Sequence, residues 1–350
     1  MMLNYCSCVI FKVFLICFIP FVWSLAWEST LPNRRQALVS LTQKTSVATA
    51  ASFGILNPAL AQSDPKHGNL VVPSIQLPSA PSDKGKPFPL ASFGLQIYDN
   101  ETAYKLTLVA LEAGYRNFFA SVLANNQQGF AKAIRDSGIP RDDLYICGTV
   151  LSNRVNSYKD AYALTEKGCY ENLNVMNKYS NGIISDLDMI MLDYPAKSEE
   201  SIRGQWESFC DFAKEGHVSH LAVSNFSPTQ LDICIDNTGV IPTVNQLPFS
   251  IANHPKGLME ENTKRGVHVQ SWSPLSSTLP RYKAAMAEIG SKYGKSPAQV
   301  GLRWIVQNGG SYCVQSKKKE HFVEDLDVFQ FELTKSEMEM LSDLSPPVGF

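Results

Sequence analysis

"NETAYKLTLVALEAGYRNFFASVLANNQQGFAKAI", residues 100–134, contains the alternation that sets the architecture. Apolar residues recur at helical spacing up to Gly114, a residue suited to the left-handed step that closes a helix. The run "YRNFF" at residues 115–119 then reads as a short strand, followed by a loop and the start of another helix. That loop holds no Asp, Glu, His, Lys, Cys or Tyr.

The same alternation extends in both directions. Short apolar runs recur at residues 92–98, 144–148, 187–192, 217–223, 243–247, 267–272 and 311–316. Helical patterns such as "SIRGQWESFCDFAKEG", "GLMEENTKRG" and "SPAQVGLRWIVQNG" lie between them, closing on Gly216, Gly266 and Gly309. Eight strands alternating with helices predict an α/β chain folded as a closed parallel (β/α)8 TIM barrel over residues 91–350. The first run continues as "GLQIYDNE", without the GxGxxG of an open dinucleotide-binding sheet. In a barrel, function gathers in the loops at the C-terminal ends of the strands.

Residues 62–90 are rich in Ser, Pro, Asp and Lys, which predicts a flexible leading segment with a hairpin or edge cover near its end. Before it, "VIFKVFLICFIPFVWSLAW" and the small-residue pattern Ser24, Leu25, Ala26 read as a signal peptide over residues 1–26. Residues 27–61 carry Arg34 and Arg35, an apolar run and a second small-residue end, Ala59 to Ala61. Two export signals in series resemble the leaders of algae with complex plastids, with transit to the plastid followed by transfer to the thylakoid lumen. After processing, this reading leaves no stable membrane insertion. Plain secretion and a chloroplast stromal address stay open.

The formal charge is −2, and residues 1–61 carry Lys12, Arg34, Arg35 and Lys44 against Glu28, so the remainder is mildly acidic. No basic stripe offers the phosphate neutralisation that nucleic-acid binding needs. Beyond the leader, Cys147, Cys169, Cys210, Cys234 and Cys313 are dispersed, odd in number and without a CxxC, which indicates neither a disulfide scaffold nor a metal knuckle.

Seven pieces, in order, carry a resemblance: "GL" at Gly94, "ALEAGYR" at 110–116, "LAVSNFSPTQL" at 221–231, "VNQLPF" at 244–249, "SWSPLS" at 271–276, "GKSPAQVGLRWIVQNGG" at 294–310 and "EDLDVFQFELTKSEMEML" at 324–341. The chain resembles the aldo-keto reductase family. The resemblance implies a barrel that binds NADP or NAD in an extended pose and reduces a small carbonyl compound by hydride transfer. Hydride arriving at a carbonyl carbon puts negative charge on oxygen, so a nearby proton donor lowers the barrier. The family supplies a Tyr tuned by a Lys and an Asp, with a His orienting the carbonyl. Here the Asp position falls on Phe119, the Tyr position on Ala124, the Lys position on Thr149 and the His position on Asp193. Tyr98 is a substitute donor to weigh, although a phenol is a weak acid without a cation beside it.

For the cofactor, the resemblance places Ser224, Asn225 and Gln246 on the nicotinamide carboxamide, Trp272 in the stacking position, and Ser273 and Leu275 at the pyrophosphate. The adenine end departs further. Gln315 and His321 stand where the family has a Lys and an Arg for the 2'-phosphate, Asp325 replaces an Asn, and Ser316 and Glu324 are kept. Losing two cations opposite a phosphate predicts weakened or lost binding of the phosphorylated cofactor. Taken together, the sequence predicts a catalytically degenerate family member acting in binding or regulation, with a protein partner in the plastid. The alternative is an active reductase with an altered donor.

Overall fold

The computed structural model describes residues 70–78 and 85–345. The expected leader segments 1–26 and 27–61, and much of 62–90, lie outside the described residues. Two short strands, β1 (Ser74–Ile75) and β2 (Phe88–Pro89), pair antiparallel ahead of the barrel. The barrel strands are β3 (Ala91–Gly94), β4 (Asn117–Phe119), β5 (Tyr145–Val150), β6 (Leu187–Leu192), β7 (Val218–Ser224), β8 (Val244–Leu247), β9 (His268–Trp272) and β10 (Ser311–Val314). They close in the order β10-β3-β4-β5-β6-β7-β8-β9, every pair parallel. The expected (β/α)8 barrel is therefore present.

Each expected strand forms, with small differences at its ends. The first run stops at Gly94 instead of reaching residue 98: Leu95 N–H makes a last bond to the Phe119 carbonyl of β4, and the Tyr98 N–H then donates back to Leu95, closing a turn. That turn feeds the helix Asn100–Ala113, whose first turn is capped by the Asp99 carboxylate accepting from Thr102 N–H. Gly114 closes this helix at φ 113°, the left-handed step that glycine takes without a Cβ penalty.

Side chains alternate along the strands between two environments. Phe119, Tyr145, Cys147, Met189, Met191, Ala222, Val244 and Cys313 form a cluster inside the barrel. Phe118, Ile146, Ile190, Leu192, Leu221, Val223 and Val269 belong to the larger cluster between strands and helices. Helix Glu199–Lys214 shows how that outer layer is built, with Ile202, Trp206, Phe209 and Phe212 all buried. All five described cysteines are buried and unpaired.

The β1–β2 hairpin covers the N-terminal end of the barrel. Phe88 packs edge-on to Tyr145, ring centroids 5.2 Å apart, and Lys86 Nζ donates to the carbonyls of Arg141 and Leu144. Below them Asp188, whose side chain is 5% exposed, pairs with Arg141 at 2.7 Å and Lys86 at 3.4 Å while accepting from Ile146 N–H. Among the described residues, no helix is long and apolar enough to cross a membrane.

Candidate functional site

At the C-terminal ends of the strands, the interior-facing rows end on Phe119, Thr149, Asp193, Ser224, Gln246, Trp272 and Gln315. The Asp193 N–H donates to the Val150 carbonyl at 2.9 Å, so it extends the β5–β6 ladder by one residue. Two positions beyond Met191, its side chain returns to the barrel axis.

Phe119 is fully buried in the interior cluster. The loop after it is held by amides. Asn126 accepts from Ser121 N–H at 3.0 Å and donates to the carbonyls of Leu95 at 2.6 Å and Tyr98 at 2.8 Å. Asn125 takes a left-handed φ of 51°, which an Asn tolerates better than most side chains. Ala124 is half-buried in that loop. Thr149 Oγ1 accepts from Val122 N–H at 3.0 Å, so it ties the loop to β5.

Asp193 is 7% exposed, and its Oδ2 is buried with no hydrogen-bond partner. Desolvation by burial pushes its carboxyl up to about 6. Tyr98 stacks on Phe93 of the outer layer, with ring centroids 6.4 Å apart and an interplanar angle of 16°. Lys317 Nζ lies 5.8 Å from the Tyr98 ring centroid, yet burial pushes the phenol up to about 12.

The residues expected at the nicotinamide end come together. Asn225, at φ 63°, accepts from Trp272 Nε1–H at 3.1 Å and donates to Ser224 Oγ at 2.9 Å. Ser224 Oγ in turn donates to the Gln246 carbonyl. Gln246 Nε2 donates to Gln270 at 2.7 Å, and Gln270 Nε2 donates to Ser92 at 3.0 Å. Each amide keeps unused capacity, since an amide oxygen has two lone pairs and its nitrogen two hydrogens. A carboxamide ligand has both a donor and an acceptor to meet here, and the indole of Trp272 offers a stacking face. Gln270 and Ser92 escaped the sequence reading because they lie within apolar-looking strands.

Ser273 leads from Trp272 into a cleft of about 440 Å³. Its lining includes Ser273, Leu275, Gln315, Ser316, His321, Glu324 and Asp325, all seven expected from the sequence, together with Lys283 and Pro297. Ser316 Oγ and His321 Nδ1 are 3.0 Å apart. Gln315 Nε2 donates to Gln96 Oε1 at 2.9 Å, bridging β10 to the turn after β3. Of the nearby lysines, Lys319 pairs with Glu112 at 2.8 Å. Asp325 is 5% exposed, and burial, then the charge of Glu324, pushes its carboxyl up to about 7. The amides at the mouth and the cleft beyond Ser273 thus lie next to one another along the chain, with Ser316, Gln315 and His321 as polar groups in an otherwise largely apolar lining. Among the described residues, no group of three His, Cys, Asp or Glu side chains is placed to hold a metal.

Known proteins resemble this chain in sequence and fold. The sequence profile of the Aldo/keto reductase family matches residues 90–346. An aldo-keto reductase of Mycolicibacterium smegmatis is 27% identical over 260 residues, covering 74% of this chain and 90% of its own length. A glyoxal reductase of Bacillus subtilis is 28% identical over 256 residues, 72% of this chain and 88% of its own. The methylglyoxal reductase of Escherichia coli O157:H7 is 26% identical over 262 residues, 74% and 90% of the two chains. Among solved structures, an aldo/keto reductase from Brucella melitensis superimposes with a TM-score of 0.69 at 25% identity, covering 79% of this chain and all of that one.

Proposed function

The chain belongs to the aldo-keto reductase family, and from that premise we propose that it is a nicotinamide-nucleotide-dependent oxidoreductase that reduces small carbonyl compounds with an altered proton donor. The observation that carries this reading is the hydrogen-bonded set Ser224, Asn225, Gln246 and Trp272, leading through Ser273 into the 440 Å³ cleft. When bound, the reduced nucleotide supplies a hydride. Ser224, Asn225 and Gln246 would hold its carboxamide, Trp272 would offer a stacking face, and Phe119 closes off the barrel interior below. Leu275, Ser316 and Asp325 line the remaining length. The names of two relatives point to α-dicarbonyls as substrates. Such carbonyls are electron-poor and need less acid assistance, which suits a site without the family's Tyr, Lys and Asp.

A second reading, a noncatalytic binding or regulatory protein with a plastid partner, is favoured by Phe119, Ala124 and Thr149, none of which offers an acid or a cation. Gln315 and His321 in place of two cations support weakened affinity for the phosphorylated nucleotide. The two-part leader supports delivery to the thylakoid lumen of a complex plastid.

Titration of the purified protein with NADPH and NADH, followed by nicotinamide fluorescence, separates these readings when combined with cofactor oxidation in the presence of methylglyoxal. Saturable binding with turnover is the expected result. Saturable binding without oxidation selects the noncatalytic reading with retained nucleotide affinity, and no saturation up to millimolar nucleotide removes the oxidoreductase reading and leaves a noncatalytic protein that acts without the nucleotide.

A further inference from the structure

We propose that Asp193, in its protonated form, is the residue that gives the proton to the carbonyl oxygen during reduction, an inference that rests on the oxidoreductase reading above. Among the axis-facing residues at the mouth, Phe119, Thr149, Asp193, Ser224, Gln246, Trp272 and Gln315, it is the one titratable acid. Its Oδ2 is buried and unpartnered, so a proton there is not committed to any protein acceptor. It stands next to the carboxamide-binding set, since Asn225 Nδ2 reaches toward the Asp193 carbonyl at 3.5 Å.

The neighbouring groups do not supply an alternative. Thr149 on β5 accepts from the Val122 N–H and Ser224 on β7 donates to the Gln246 carbonyl, and both are alcohols, far weaker acids than a carboxylic acid. Tyr194 follows Asp193 in its own loop, and its phenol is raised by burial and then by the Asp193 charge, which makes it a poorer acid. No cation contributes to the titration of Asp193, whose shift to about 6 comes from desolvation. The acid is therefore kept partly protonated near neutrality by burial, where the family's phenol depends on a lysine.

Hydride leaves the reduced nicotinamide for the carbonyl carbon, forming a C–H bond, while the C=O π pair moves to oxygen. That oxygen takes the proton from Asp193, forming an alcohol. The nicotinamide is oxidised to its pyridinium, the carbonyl is reduced, and the Asp193 carboxylate regains a proton from water.

Three measurements on the wild type and Asp193→Asn test this. The expected results are a fall in kcat of ~100-fold or more in the variant, with nucleotide Kd held within about twofold. In the wild type, kcat/KM with methylglyoxal should fall about tenfold per pH unit above the carboxyl's titration, and that limb should be lost in the variant. Without any nucleotide, the infrared C=O stretch of a carboxylic acid should disappear as pH rises through about 6 in the wild-type minus variant difference spectrum. A matching circular dichroism melt confirms that the variant is folded. Turnover in the variant with an unchanged rate and pH profile overturns the Asp193 assignment alone. Nucleotide binding without turnover in the wild type overturns it too, and absent binding overturns the oxidoreductase reading with it.

Discussion

Asp325 shows how much one residue's behaviour depends on its surroundings. The sequence places an Asp where the resemblance has an Asn, which reads at first as a charge facing the nucleotide. In the structure the residue is buried in the cleft wall and its carboxyl is raised to about 7, so below that pH it is a neutral acid with one donor and one acceptor, close to an amide in function. A group whose folded pKa lies above its unfolded value stabilises fully below the unfolded value and loses that contribution as pH rises through the folded one. For Asp325 the window runs from its unfolded value near 4 to about 7. Stability should therefore decline across that window, and Asp325→Asn should reduce the slope. At pH 8 the variant should be more stable than the wild type by on the order of 2 kcal/mol, because the amide has no charge to desolvate. Thermal melts at pH 4 to 8 check this, and parallel curves for the two proteins would refute it. The residue type was legible in the sequence, but its protonation was not, because that depends on burial and on Glu324 beside it.

At the level of elements, the loop between β4 and the helix Gln127–Ser137 has a structural role that its lack of chemistry concealed. Asn126 links it to the turn after β3, and Asn100 adds two further ties, accepting from Gly129 N–H at 2.8 Å and donating to the Asn125 carbonyl at 2.9 Å. These contacts bring the start of one helix against the first turn of the next. A Cβ at Gly129 would stand 2.0 Å from the Asn100 carbonyl oxygen, so the helices touch through backbone. Gly129→Ala should therefore destabilise despite the ~1 kcal/mol that alanine gains over glycine inside a helix. Overpacking of this kind costs roughly 1–3 kcal/mol, and with the helical gain subtracted the net loss should be up to about 2 kcal/mol. Urea unfolding measures the difference, and a more stable variant would show that the helices can separate without loss. The strand and helix here were legible from periodicity. The pairing of Asn100 with Gly129 was not, because it joins residues on successive helices and leaves no local pattern.

For the whole molecule, the eight-strand alternation made the barrel legible, while the closure of its lower end was only partly so. The segment before the barrel suggested a hairpin, but "VVPSIQL" and "PFPL" are separated by polar sequence, and Asp188 sits inside the apolar run "LDMIML" with no sign of a partner. In the fold these pieces meet: the hairpin lays Phe88 over Tyr145, and Asp188 accepts from Arg141, Lys86 and the Ile146 N–H. The two cations are not equivalent. Arg141 is 13% exposed and 2.7 Å from Asp188, whereas Lys86 is 30% exposed, 3.4 Å away, and also shared with Asp142. Removing the carboxylate leaves the Ile146 N–H without its acceptor and takes the nearest carboxylate from Arg141, which keeps Asp186 and the Leu144 carbonyl, so Asp188→Ala should cost roughly 3 kcal/mol. Lys86→Ala leaves the Arg141 pair intact and should cost about 1 kcal/mol. Added salt should change the Asp188→Ala difference little and reduce the Lys86→Ala difference more, since counterions screen exposed pairs more than enclosed ones. Urea midpoints at low and high salt give both numbers. Equal losses in the two variants would mean that the hairpin, and not the Asp188–Arg141 pair, holds the lower end of the barrel together.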